Sequence, residues 1–478
     1  MTFSSRYQPA PAYTDLGEGF FDPVDAAAFP RSDLRYWNER WAQHIGLDTL
    51  DASEKKTFFH RFEALPDNHP RSLALRYHGH QFRVYNPQIG DGRGFLHAQL
   101  KDDQGRLLDL ATKGSGQTPW SRSGDGRLTL KGAVREILAT EMLEALGVYT
   151  SKTFAVYETG EALHRGDEPS PTRSAVLTRL GHSHIRFGMF QRQAYEGEPD
   201  RILKLVEHAL THYYPERAND PDPAVSLLEA VVAAQAQLVA SWMAAGFVHG
   251  VLNTDNLNIT GESFDYGPWR FLPHYEPGFV AAYFDETGLY AYGRQPEAVF
   301  WALQQFAGAL SLVAQTPALE AVLNTYPALY RDAVPKAFLA RLGLTPKGDE
   351  TDFEFFQTFV DFLRSAPTPW EGVFFDWFGG EASRVRAFDG PRRAHYQGEA
   401  FDAFAARMSD YATERPARLD HAYFGASDPA SLKIERVEGV WAPIAEQDDW
   451  SALHALLLQI EQARQAYALK PGAPGFDL

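Results

Sequence analysis

The stretch His249-Gly-Val-Leu-Asn253-Thr-Asp255-Asn256-Leu257-Asn258-Ile-Thr-Gly261-Glu-Ser-Phe264-Asp265-Tyr-Gly267 gathers acidic and amide side chains into two clusters, with Asp255 and Asp265 ten residues apart. Each cluster lies just beyond or inside a short apolar stretch. That arrangement fixes carboxylate and amide oxygens around Mg²⁺ and a triphosphate. Asp265 is placed to bridge a metal to phosphates, Asn256 to complete the coordination, and Asp255 to accept a proton from an incoming hydroxyl. Asp and Asn also cap turns, which is the plain alternative; their coincidence with His249-Gly250 and Gly267 favours chemistry.

Upstream residues supply the complementary charge. In the strand-like run Leu107 to Lys113, period-two geometry puts Asp109, Ala111 and Lys113 on one face and Leu108 and Leu110 on the other, so Lys113 points toward a cleft. Glu136 falls in a helical pattern over Leu130 to Leu146, from which a carboxylate can hold a strand lysine against phosphate oxygens. A surface glutamate pairing with Lys131 or Arg135 is the ordinary alternative. The glycine cluster Asn86-Pro-Gln-Ile-Gly90-Asp-Gly92-Arg93-Gly94 can present backbone amides, with Arg93 adding charge-assisted donors, although alone it also fits a hairpin without ligand. Asp125-Gly126 lies in a second glycine-rich stretch that begins at Gly114, a nucleotide contact or a plain connector. Arg179 and Arg186 flank Gly181-His-Ser-His184 and offer guanidinium forks to phosphate. His182 and His184 have no third ligand at convincing spacing, so they read as loop structure rather than a metal site.

The surrounding pattern changes character midway. Strand candidates are 72–77, 81–85, 94–100, 107–113, 152–157 and 174–179, separated by Gly, Asn, Asp and Pro, which favours an antiparallel sheet. Helices are expected over 35–46, 130–146, 222–245, 296–316, 318–329, 334–342, 353–363 and 450–467, with a Pro/Gly-rich tail from Lys470 to Leu478. The expected organisation is an N-terminal extension over 1–70, a sheet-rich nucleotide-binding lobe over 71–190, a mainly helical catalytic lobe over 191–380 and a C-terminal extension over 381–478.

The 478 residues suffice for two or three mutually packed lobes. A net charge of −17, from 45 basic and 62 acidic residues, argues against a broad nucleic-acid footprint but permits a local basic pocket. The chain has no cysteine, so disulfides, thiolate metal sites and cysteine nucleophiles are excluded. The N-terminus has no apolar targeting core and no stretch approaches a membrane span. The expectation is a cytoplasmic protein with no nucleic-acid or membrane partner.

These residues resemble the SelO (YdiU) family of protein adenylyltransferases. The resemblance is carried by Asn86 to Gly94, Lys113-Gly-Ser-Gly-Gln-Thr-Pro-Trp-Ser-Arg122, Asp125-Gly126, Leu130 to Glu136, Gly181 to Arg186, His249-Gly250, Asn253 to Asn256 and Phe264 to Gly267. It runs from about Asn86 to Phe375, while the first 60 residues and those beyond about 380 match less. The resemblance implies an α+β, protein-kinase-like two-lobed fold that transfers AMP from ATP to Ser, Thr or Tyr hydroxyls of proteins and releases pyrophosphate. It implies ATP bound in reverse orientation, with Mg²⁺ or Mn²⁺ held by Asn256 and Asp265. Asp255 would be the proton acceptor and Glu136 would hold Lys113. Gly90, Gly92, Arg93, Lys113, Asp125, Gly126, Arg179, Arg186 and Asp265 would contact the nucleotide. Self-modification is a further expectation. Two features depart from relatives: the usual kinase loop His-Arg-Asp is replaced by His249-Gly250 with Asp255-Asn256, and a C-terminal cysteine or selenocysteine is missing. A kinase and a catalytically silent ATP-binding scaffold are the rival readings.

Overall fold

The computed structural model describes residues 3–166 and 168–470. The expected tail therefore lies outside the described residues from position 471 onward.

The chain is a mixed α and β fold with open sheets. Its strands are β1 (Phe21–Val24), β2 (Asp33–Trp37), β3 (Ser72–Leu75), β4 (Gly79–Gln81), β5 (Val84–Asn86), β6 (Leu96–Lys101), β7 (Leu107–Lys113), β8 (Leu128–Thr129), β9 (Lys152–Leu163), β10 (Thr172–Gly181), β11 (Phe247–Val248) and β12 (Arg270–Phe271). The large sheet runs β1-β3-β6-β7-β10-β9-β2 with β8 on β10, and β4–β5 and β11–β12 are separate ribbons. Every one of these strand pairs is antiparallel.

The helices are α1 (Glu39–His44), α2 (Ala52–Phe59), α3 (Leu130–Ala145), α4 (Phe187–Glu196), α5 (Pro199–Tyr213), α6 (Pro223–Ala245), α7 (Gln295–Leu310), α8 (Thr316–Leu323), α9 (Tyr326–Arg341), α10 (Asp349–Ser365), α11 (Trp370–Asp376), α12 (Arg384–Asp389), α13 (Glu399–Met408), α14 (Ile434–Gln447) and α15 (Ser451–Tyr467).

Strand β7 is buried along its whole length, because both faces of the sheet are covered. Leu108 and Leu110 pack into a cluster with Ala42 of α1, Ile45 just after it, and Phe58 and Phe59 of α2. On the opposite face lies α3, whose Val134, Ile137 and Leu138 join Leu107 and Leu177 in the main core. The Thr129 hydroxyl accepts from Gly132 N at 3.1 Å and starts α3 where the sequence places it. C-terminal helices brace α3: α15 packs along it, Arg464 bonds Glu141, and Lys131 meets Glu438 of α14 at 2.7 Å.

Several expectations are corrected. Residues 35–46 are not one helix, since Asp33–Trp37 pairs with β9 and the helix begins only after the Asn38 cap, which accepts from Trp41 N. Residues 81–85 are not one strand: the chain reverses at Phe82 and Arg83, both at positive φ (49° and 65°). The helix expected over 296–316 ends at Leu310, the one over 318–329 divides between α8 and α9, and α9 continues through Pro335 to absorb 334–342. The pattern missed α2, α4, α5 and α11 to α14. The membrane expectation also changes: α6, with 23 residues, is long and apolar enough to cross a membrane, yet 72% of its most apolar window is buried among α5, α7, α8 and α9. It is the central core helix, started by Asp222 and Pro223 and stopped by Gly246 in the left-handed region.

Candidate active site

A cavity of about 650 Å³ opens beside the ends of β7 and β10, walled by residues 89–94 and 120–127 and floored by the two acidic turns that follow α6. Seven lysine or arginine side chains line it against four aspartates. An acidic chain has thus turned locally positive, which suits a polyanion.

Glu136 is buried behind Lys113 and Arg179, which line the cavity. Its Oε2 accepts from Lys113 Nζ at 2.7 Å, and its Oε1 accepts from Arg179 Nε and Nη2 at 3.0 and 2.6 Å. Burial alone would raise this carboxyl, but Arg179 and Lys113 outweigh it and hold Glu136 below the usual carboxylate range. Both cations also reach Asp265 Oδ1 at 3.2 Å. Burial opposes charge on Asp265 as well; Lys113, Arg179, Arg186 and Arg93 reverse that and hold it well below normal. Asp265 has φ of +62°, uncommon outside glycine, and its side chain remains 29% exposed toward the cavity.

Arg186 is sandwiched between the rings of Tyr77 and Phe264, 4.3 and 5.1 Å from their centroids. Its Nη2 donates to Asp91 Oδ1 at 3.2 Å and its Nη1 to the Asp255 carbonyl at 3.3 Å. The Asp255 carboxylate lies close by with a buried Oδ1 that has no hydrogen-bond partner. Burial lifts this carboxyl to about 7, with Arg186 pulling it down. Buried acceptors without a partner are uncommon in folded chains. Gly79 of β4 packs directly on it, since a β-carbon there would lie 2.9 Å from Asp255 Oδ1.

The two glycine loops are tied together over the cavity. Ser121 Oγ donates to the Gly92 carbonyl and Thr118 Oγ1 to that of Asp91, both at 2.5 Å. A β-carbon on Gly90 would come within 2.6 Å of the Trp120 ring, so only glycine lets the loops close. Gly90, Gly92, Arg93, Asp125 and Gly126 all line the cavity. Asp125 is held by Arg165 at 2.8 and 3.1 Å, which with the Arg127 backbone keeps its carboxyl low against the effect of burial.

Of the residues assigned to the site from the sequence, Glu136 and Asn256 do not line this wall: Glu136 reaches it through Lys113 and Arg179, and the Asn256 amide donates to the Val251 carbonyl at 3.1 Å. His182 and His184 are buried beside Tyr149 at 2.5 Å and Asp109 at 3.2 Å, and among the described residues no group of three or more His, Asp or Glu gathers to hold a metal. A carboxylate-poor site remains compatible with Mg²⁺, which takes one or two carboxylates and completes its shell with substrate phosphates and water. Asp265, turned toward the cavity, fits that donor set. Sequence reasoning missed Tyr77, Asp91, Arg122, Arg127 and Arg165. Asp91 had a signal, its place between Gly90 and Gly92, whereas Arg165 reaches Asp125 only through the fold.

A strand lysine held by a helix glutamate and facing two acidic turns across a cationic cavity defines a nucleotide-dependent transferase. The family profile described as "Protein adenylyltransferase SelO" matches residues 3–461. Relatives include the "Protein nucleotidyltransferase YdiU" of Synechocystis sp., 41% identical over 94% of this chain and 97% of its own length, and that of Gloeobacter violaceus, 41% identical over 96% and 95%. The protein of the same name from Cereibacter sphaeroides is 40% identical over 96% of this chain. The chain belongs to the SelO family and is a protein nucleotidyltransferase. The match from residue 3 to 461 corrects the expectation that the resemblance stops near Asn86 and Phe375: both ends belong to the family.

Proposed function

We propose that the chain transfers AMP from ATP to Ser, Thr or Tyr hydroxyls of proteins, in a two-lobed, protein-kinase-like arrangement with a sheet-rich lobe over 71–190, a helical lobe over 191–380 and extensions over 1–70 and 381–478. The observation that carries this reading is the single Glu136 carboxylate shared by Lys113 and Arg179, both of which also reach Asp265. That places fixed positive charge where a triphosphate would lie, and preorganised charge is the main catalytic resource in phosphate chemistry.

In this reading Lys113, Arg179, Arg186 and Arg93 bind the phosphate tail of a reversed ATP, while Gly90, Gly92, Asp125 and Gly126 line the rest of the nucleotide site. Asp255 takes the proton of the acceptor hydroxyl as its oxygen bonds the α-phosphorus and the bond to the β-phosphate oxygen breaks, releasing pyrophosphate. Asp265 and Asn256 would hold Mg²⁺ or Mn²⁺, which supplies neutralisation of phosphate charge when bound. Asn256 would turn its amide oxygen toward the cavity to do so.

The test is protein mass spectrometry after incubation with ATP, each metal and an acceptor mixture that includes the chain itself. An AMP-sized increment that disappears in Asp265→Ala is expected. A phosphate-sized increment would make the protein a kinase, and ATP binding with neither increment would favour a silent scaffold.

A further inference from the structure

Beside the cavity, next to the hairpin residue Gln81 that lines it, lies an apolar ridge that the nucleotide chemistry does not use. Gln81 lines the cavity, and the next residue, Phe82, packs on Tyr290 and Phe284 with ring centroids 5.1 and 5.8 Å apart. Tyr283 adds its ring 5.2 Å from Phe284. Tyr283 is 81% exposed, Phe284 47%, and Val84, paired with Gln81 across the hairpin, 71%. Single exposed apolar residues are ordinary; two packed on each other and on the hairpin that contributes Gln81 to the cavity are not.

The ridge is mechanically joined to the Asp255 turn. Asn253 Oδ1 accepts from both Phe82 N and Tyr290 Oη at 3.0 Å, and Thr254 Oγ1 accepts from His80 N at 2.7 Å. The segment before Tyr283 also abuts this turn, because a β-carbon on Gly250 would lie 3.0 Å from Ala281 Cβ. The ridge and the proposed proton acceptor are therefore held in fixed register by one asparagine and one threonine.

We infer that the Phe82–Tyr283–Phe284 ridge is the docking subsite for the acceptor polypeptide and selects a large apolar side chain next to the hydroxyl to be modified. This rests on the transferase reading. The family is one of protein adenylyltransferases, so a polypeptide must bring its hydroxyl to Asp255, and the ridge adjoins that approach through Gln81 and Asn253. A second copy of the chain fits less well. Three exposed side chains fall far short of the roughly 800 Å² per partner that a stable interface buries. A short extended segment needs only one pocket-sized anchor.

The experiment uses the full chain with Tyr283→Ser, Phe284→Ser and the double variant, and with Leu458→Ser as control, since Leu458 is 61% exposed on α15. The probes are short fluorescein-labelled synthetic peptides of Gly, Ala and a central Tyr, flanked by Phe, Leu or Ala. The Phe and Leu peptides should bind the ATP-loaded native chain about tenfold more tightly than the Ala peptide. The double variant should erase that difference and raise the peptide KM for AMP transfer, leaving kcat and ATP affinity unchanged, while Leu458→Ser changes nothing. Equal binding of Phe and Ala peptides to the native chain would overturn the inference, as would discrimination that survives the double variant. Discrimination lost in binding with no AMP transfer by any chain would keep the subsite and remove the transferase reading. A double variant whose only change is loss of a dimer in sedimentation would assign the ridge to self-association and overturn the inference.

Discussion

Lys113 and Asp265 meet at 3.2 Å across the cavity, joining the end of β7 to the second acidic turn. Arg179 makes the same contact from β10. The carboxylate proposed to hold a metal ion is thus paired with the two cations proposed to hold phosphate. A metal–nucleotide complex bound as proposed would exchange these ion pairs for its own.

Asp265→Asn should separate chemistry from backbone. Asparagine tolerates positive φ, whereas alanine at φ +62° pays about 1 kcal/mol for the left-handed region. Asp265→Asn should therefore melt above Asp265→Ala, with both below the native chain because each loses the ion pairs to Lys113 and Arg179. Both should lose metal-dependent transfer by about a hundredfold or more, the scale for removing one fixed electrostatic contact to the transition state. Calorimetry with initial rates at saturating ATP checks this; equal melting of the two variants would refute the backbone argument.

Glu136→Ala strands two buried cations, Lys113 and Arg179, and should destabilise the fold by about 3–5 kcal/mol, the usual scale when one member of a buried ion pair is removed. Because the folded carboxyl lies below its ordinary value of 4.5, its contribution is complete above that pH and is lost as pH falls toward the folded value. Glu136→Gln should thus show a smaller loss of stability than the native chain between neutral and acidic pH. Urea unfolding at several pH values measures this, and ATP binding by calorimetry should weaken in both variants.

Much of this site was legible because local patterns coincided. Alternation over 107–113 fixed which face Lys113 takes, and the helical pattern over Leu130 to Leu146 contained Glu136, so the Lys113 and Glu136 elements could be read residue by residue. What escaped was decided by tertiary contact. The Phe82-Arg83 turn has two positive φ angles without glycine or asparagine, and its hydrogen bond to Asn253 comes from 171 residues away. Asp91, Tyr77 and Arg165 acquire meaning only when the loops close, and Asn256, adjacent to Asp255 in sequence, faces away from the wall its neighbour joins.

Gly79 has no catalytic signature in sequence, yet it sets the space for Asp255. A methyl group there would lie 2.9 Å from Asp255 Oδ1 and 3.2 Å from both Asp255 Cβ and Thr254 Oγ1. Gly79→Ala should push the carboxylate or the hairpin aside and lower kcat by about a hundredfold, the order of a misplaced general base, with ATP affinity retained. Asp255→Asn should give the same split with a larger loss. A Gly79→Ala chain with native kcat would show that the carboxylate moves without consequence.

Glu262 offers a pH signature independent of catalysis. It is buried, its Oε2 accepts from His182 N at 2.8 Å, and burial raises its carboxyl to about 7 although Lys152 and Arg106 pull it down; Asp109 adds to the rise. His182, itself lowered to about 3, stays neutral across this range. Between the ordinary value of 4.5 and about 7 the folded chain holds a proton that the unfolded chain releases, so this group makes stability fall as pH rises through that window. The ceiling is about 3 kcal/mol, at 1.36 kcal/mol per pKa unit. Glu262→Gln keeps an oxygen for His182 N and removes the titration, so its stability should decline less from pH 5 to pH 8. Urea unfolding of both chains across that range decides the matter, and parallel pH dependences would place the raised carboxyl elsewhere.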